Sequence, residues 1–307
     1  MKIALMAAAY GVMVTAVHGW MSPQEKDPAA LIAKLNSKDA DDAENARLDL
    51  LRLGEAALGP VREAAAKEAD AALKKKLLAI AERLEIRKAV ATLAAKGGET
   101  WHSLYIGALK VGWVHLKTES KDGRLLLTDE IFVQTDKNNL TTLKISVACL
   151  PDEYFSVQEV SYDMSSPDRT MAITARVKEG RLVVKEGEQT KAQKVKANLL
   201  VDTAFLRLVT ILPKTEGYDL TVLQLVGEKP KFRDNSVVRF DKEDSVEHEG
   251  RQVKCRRFIL SDGEDNDRSY WVDAEGRLLK IQIRADEKDA EIVLTDEKRA
   301  KDIDTKD

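Results

Sequence analysis

Between Pro28 and Lys96 apolar residues recur every three or four positions, first at Ala43, Ala46, Leu50 and Leu53 and later at Leu73, Leu77, Ile80 and Leu84, so each set makes one buried stripe on a helix. The pattern predicts helices over 28–36, 40–53, 60–69 and 70–96. Asp41 and Glu44 are spaced as a capping-box variant, Gly54 suits the end of the second helix, and Pro60 suits the first turn of the third. The last stripe slips phase after Leu84, where Ile86, Val90 and Leu93 take over, which predicts a bend or a split near Glu85.

At Gly97-Gly98 the period changes from helical to alternating. Leu143, Ile145, Val147 and Cys149 share one strand face, as do Met171, Ile173, Ala175 and Val177, and Leu279, Ile281 and Ile283 oppose Lys280, Gln282 and Arg284. Turn chemistry separates these runs at Asp122-Gly123, Asp136 to Asn139, Glu179-Gly180, Glu249-Gly250, Asp262-Gly263 and Glu275-Gly276. Connections this short make neighbouring strands antiparallel. About a dozen strands across residues 100–295 predict one large sheet that has to curl, with one face meeting water. One helix interrupts them, from Asn198 to Leu212. It is apolar nearly all round, as a helix buried inside a curved sheet is, and Pro213 ends it.

Two stretches carry resemblances. LRLGEAALGPVREAAAKEADAALKKKLLAIAERLE, residues 51–85, resembles a HEAT-type helical repeat, with one full unit and a partial one. Stacked repeats need about three neighbours to close a core, so this block has to pack on something. The run Trp101 to His115, with Tyr105, Gly107, Lys110 and Gly112 between, resembles the opening hairpin of secreted bacterial β-domains of unknown function; residues 249–260 and 269–281 are similar to their closing strands. That resemblance implies a fold like the open half-barrels of periplasmic lipoprotein carriers and a binding or scaffolding role in the envelope. It supplies no catalytic residue, and helices in front of the β-domain depart from the carrier pattern.

The expected fold class is therefore α+β: a short HEAT-like helical module over 28–98, a large curved antiparallel β-domain over 99–296 with one buried helix, and a charged tail over 297–307. Residues 1–19 combine Lys2, an apolar run from Ile3 to Val17, and Val17 and Gly19 at cleavage-like positions, which reads as an export signal, with an uncleaved N-terminal anchor as the rival. The expected location is periplasmic or extracellular. A formal net charge of −3 over 307 residues gives no field for nucleic acid, and two cysteines exclude a disulfide scaffold.

Candidate chemistry is sparse. A first-hairpin turn at Ala108-Leu109 would set His102 opposite His115, close enough to share a metal, but Gly107 and Gly112 point to a longer loop and another register. Cys149 and Cys255, on apolar faces in an oxidising compartment, form either a disulfide or two separate buried thiols. The acidic run Asp262 to Asp267 reads as a solvated hairpin tip rather than a calcium loop, and Lys74-Lys75-Lys76 as a helix surface. Nucleophile elbow, phosphate loop, dinucleotide fingerprint and zinc-protease motif are all missing, so neither enzyme activity nor a cofactor is expected. Trp101, Tyr105, Trp113 and Trp271 are the candidate contacts for an apolar ligand held in the concavity of the sheet, or for an envelope partner. The rival reading is a protein–protein adaptor acting through the helices, and a further alternative is an uncharacterised hydrolase or accessory domain.

Overall fold

The structure, a computed structural model, describes residues 27–303 apart from 137–138, 195–198, 215–217, 225–230, 262–267 and 285–288. The expected export signal over 1–19, the acidic run from Asp262 to Asp267 and the expected helix start at Asn198 lie outside the described residues. The chain divides into two compact units, Met1–Ile80 and Ala81–Asp307.

In the first unit α1 (Pro28–Lys34), α2 (Ala40–Leu53) and α3 (Glu55–Lys67) are followed by α4 (Ala71–Lys96), which continues into the second unit. The cap of α2 is Asp39, two residues before the expected box: its carboxylate accepts from the backbone N–H groups of Asp41 and Asp42. Gly54 ends α2 at φ +61, as expected. Helix α3 starts at Glu55 instead of Pro60, which lies inside it. The early start lets Ala57 and Leu58 join Val61 and Ala65 on one buried stripe, while the carbonyl that Pro60 leaves without a helical donor belongs to exposed Ala56. The phase slip in α4 is not a break. The helix is continuous, and Leu77, Ile80 and Leu84 are buried on one side of it while Ile86 and Val90 are buried about half a turn away, at 3.6 residues per turn.

In the second unit the chain runs through β1 (Gly98–Ile106), β2 (Leu109–Lys121), β3 (Arg124–Asp136), β4 (Asn139–Cys149), β5 (Val157–Ser165), β6 (Thr170–Lys178), β7 (Arg181–Glu186), β8 (Gln189–Lys194) and β9 (Leu199–Val201). After α5 (Asp202–Ile211) come β10 (Tyr218–Gln224), β11 (Lys231–His248), β12 (Arg251–Ser261), β13 (Arg268–Asp273), β14 (Leu278–Ile283) and β15 (Ala290–Thr295), then α6 (Glu297–Lys301) within the expected charged tail. The fifteen strands form one sheet in the order β8-β7-β6-β5-β4-β3-β2-β1-β15-β14-β13-β12-β11-β10-β9, and every pairing is antiparallel except β9 with β10. The sheet curls without closing: β9, one terminal strand, comes up against β5. The fold is α+β with a curved antiparallel sheet and one buried helix, as the pattern predicts.

That helix fills the concavity. Ala204, Phe205, Leu208 and Val209 of α5 belong to the main core with Val114, Leu125, Leu127, Val147, Phe258 and Tyr270 from the strands. Phe205 meets Tyr270 edge to face at 5.1 Å. Ile86 and Val90 of α4 enter the same core, and Arg83 and Arg87 reach Tyr154 and Glu153 in the β4–β5 loop, so the end of α4 is part of the β-unit. Helix α5 is shorter than expected because residues 199–201 pair with β10 as β9.

Two departures from the expected alternation come from bulges. Val272 pairs with Leu278 and Trp271 with Lys280, so Leu279 is an extra residue; it leaves the main core for a small cluster with Cys255 and Trp271. In the first hairpin Leu104 pairs with Gly112 and Tyr105 with Lys110, making Val111 extra. A Cβ on Gly112 would stand 1.9 Å from the Phe132 carbonyl oxygen of the neighbouring strand, so only glycine lets β2 and β3 approach there.

Candidate functional site

The register of β1 and β2 decides where the candidate residues point. The turn is a two-residue one, Gly107-Ala108, with Gly107 at φ +59, one position earlier than the turn that would have paired the histidines. That turn alone would set His102 opposite Trp113 and keep both histidines on one face; the extra residue Val111 shifts the register by one more, so Trp101 opposes His115 and His102 opposes Val114. The two histidines lie on opposite faces, which removes the shared-metal arrangement, and among the described residues no group of three or more His, Cys, Asp or Glu side chains is placed to hold a metal ion.

On the inner face His102 is fully buried, its Nε2 3.1 Å from the Leu278 carbonyl oxygen. Burial pushes its pKa down to about 4, so it is a neutral core residue. The inner face also holds a pair that the sequence reading missed. Asp129 sits in the apolar row between Leu116 and Ile145, and its carboxylate meets the Nη1 of Arg207 from α5. The Arg207 guanidinium also donates to Thr118 Oγ1 and to the carbonyls of Lys117, Thr128 and Thr203. Burial pushes the Asp129 pKa up, and Arg207 pulls it part of the way back. The signal was there: β3 has an acid in the phase of Leu125 and Leu127, and the buried helix has one arginine.

The outer face carries an aromatic row. Trp101 stacks on His115 with ring centroids 3.9 Å apart and planes 7° from parallel; Trp113 lies 5.3 Å from Trp101 and stacks on Phe132 at 5.5 Å. His115 is held by Glu99 at 3.1 Å, and Glu130 is bonded by Lys144 at 2.8 Å. Lys144, with His115 behind it, holds the Glu130 carboxyl below the usual carboxylate range. Beyond Phe132 a groove of about 360 Å³ opens across β2 to β6. Its lining falls on two outward rows, Trp113, Phe132, Thr142, Ser165 and Thr170 beside Glu130, Lys144, Asp163 and Ala172. The surface is mostly apolar with a carboxylate–ammonium border, suited to burying an apolar group and fixing it with a few polar contacts.

Of the four aromatic candidates, the structure brings Trp101 and Trp113 together. Tyr105 shares the outward face of β1 with Trp101 but lies nearer the turn, opposite Lys110 and Glu291. Trp271 is only 6% exposed, away from the other three; its indole N–H donates to Asp244, and Arg257 and Lys280 lie against its ring, so it packs within the β-unit. Cys149 and Cys255 are free. Cys149 lies in the main core, whereas Cys255 points to the face opposite Phe258, so no disulfide joins them. Burial raises their pKa values, to about 12 and about 11, and leaves both as inert thiols.

No family model and no curated protein matches the chain. Among solved structures it is similar to a β-barrel-like protein of a domain of unknown function, DUF1849, from Brucella abortus, at 9% identity over 65% of this chain and 95% of that one, with a TM-score of 0.46. It is also similar to LprF from Mycobacterium bovis, at 10% identity over 69% of this chain and 90% of that one, with a TM-score of 0.25. Among the described residues no helix is long and apolar enough to cross a membrane.

Proposed function

We propose that the chain is an exported, non-catalytic binding protein of the cell envelope whose β-unit holds an apolar segment of a ligand or partner on its outer face. The observation that carries this reading is the contrast between a concavity packed by α5 and an open groove of about 360 Å³ beside Trp113 and Phe132. The sequence reading placed the ligand inside the curl; the filled interior moves it outside. The aromatic edge supplies apolar contact, and Glu130, Lys144 and Asp163 supply the orienting groups. The signal-like pattern of Lys2 and the apolar run from Ile3 to Val17 is what favours that location.

The test is saturable binding of an apolar fluorescent probe to the full chain. One site is expected, weakened at least tenfold by Ala172→Arg, whose exposed side chain would enter the groove without touching the core. Absence of saturable binding, or binding indifferent to Ala172→Arg, overturns the reading. Intact-mass measurement of the exported protein tests the signal: a chain lacking residues 1–19 is expected.

A second reading, resting on the helical pattern of 28–96, is an adaptor acting through the HEAT-like helices. A deletion separating the two readings has to stop before Ala81, because Ile86 and Val90 belong to the β-core.

A further inference from the structure

The groove ends at Trp113, and Trp113 also belongs to a second arrangement. The Lys301 ammonium from α6 lies 4.5 Å from the centroid of the Trp101 ring and 6.0 Å from that of Trp113, and the same nitrogen is 2.6 Å from a carboxylate oxygen of Glu297. Two indole rings and a carboxylate are the elements that hold an alkylammonium group. The occupant can leave without the helix: buried Ala300, the Asp296 cap and the bonds from Lys110 hold α6, whereas the Lys301 and Glu297 side chains are each about half exposed, and an exposed pair of this kind is weak.

We propose that Trp101, Trp113 and Glu297 form an ammonium subsite that the chain fills with its own Lys301, and that the lysine side chain of a partner segment lying in the groove takes its place. This deepens the groove reading and rests on it for the partner. Trp113 is shared by groove and subsite, so a segment seated in one presents its next side chains to the other. The chain's own lysine shows which chemistry the subsite accepts: a cation on an alkyl stem, with the indole faces taking the stem and the carboxylate the charge.

The probe is n-butylammonium, with n-butanol as its neutral counterpart, followed by NMR through the indole N–H signals of Trp101 and Trp113. Lys301→Ala leaves both rings and Glu297 in place and should bind butylammonium about fivefold more tightly than the unaltered chain and more tightly than it binds butanol. Adding Glu297→Gln should remove most of that gain; Trp101→Leu should remove all of it. If Lys301→Ala binds butylammonium no better than the unaltered chain does, or no better than butanol, the subsite does not exist. The groove reading is tested separately, because Ala172→Arg acts on the apolar probe in a chain that keeps Lys301.

Discussion

Asp129 and Glu130 are neighbours in β3 and carry the same functional group, yet their environments have opposite effects. Asp129 points inward and burial raises its pKa; Glu130 points outward and Lys144 lowers its pKa. His102 and His115 repeat the contrast in the first hairpin, one buried in the core and the other stacked on Trp101. One sheet thus has an inner face where an ionisable group is stripped of water, as Asp129 and His102 are, and an outer face where Glu130 and His115 keep ionic partners at the solvent-facing surface. Residue type says little about role here; the face says most of it.

The sharpest test of that contrast is Arg207→Met. It strands the Asp129 carboxylate in the core and is expected to cost about 4 kcal/mol in urea denaturation, while the double variant with Asp129→Leu should recover much of the loss, since an apolar pair needs no desolvation. A double variant no more stable than the single one would show that the guanidinium's bonds to backbone carbonyls matter more than the charge pair. Gly112→Ala should follow at about 3 kcal/mol, because the new methyl has to push apart two strands held at backbone distance.

Acid provides the next comparison. The folded-state pKa of His102, about 4, lies below its unfolded value of 6.5, so its contribution is fully present above pH 6.5 and lost as pH falls towards 4. The loss attributable to this group is about 3 kcal/mol at the acid end. His102→Gln should flatten that part of the stability profile measured between pH 7.5 and 4, and an unchanged slope would remove the histidine from the account. The smallest effect is expected outside: Lys144→Ala should change stability by less than about 1 kcal/mol, since its bond to Glu130 is a surface pair. A loss there as large as that of Arg207→Met would erase the distinction between the faces.

Much of the fold is legible in the chain. The change of period at Gly97-Gly98, the strand pattern of 143–149 and 171–177, the glycine turns and the buried helix ended by Pro213 follow from local chemistry. Half of the aromatic site is legible too, in Trp101 and Trp113. What was not legible depends on single-residue offsets. The extra residue Val111 beyond the Gly107-Ala108 turn parted the histidines, and the bulge at Leu279 moved that leucine out of the main core. Phe132 and Lys301 joined the site from segments that nothing in their own neighbourhood marks.

By itself, then, the sequence determined where the chain is helical and where it is extended, and which positions of each strand are apolar, because periods of 3.6 and 2 are written in neighbouring residues. Only the tertiary structure decided that α5 packs the concavity, that Arg207 answers Asp129, and that the open apolar surface lies on the outside. Those outcomes depend on register and on contacts between distant segments, and shifting a strand by one residue exchanges its two faces without altering its pattern.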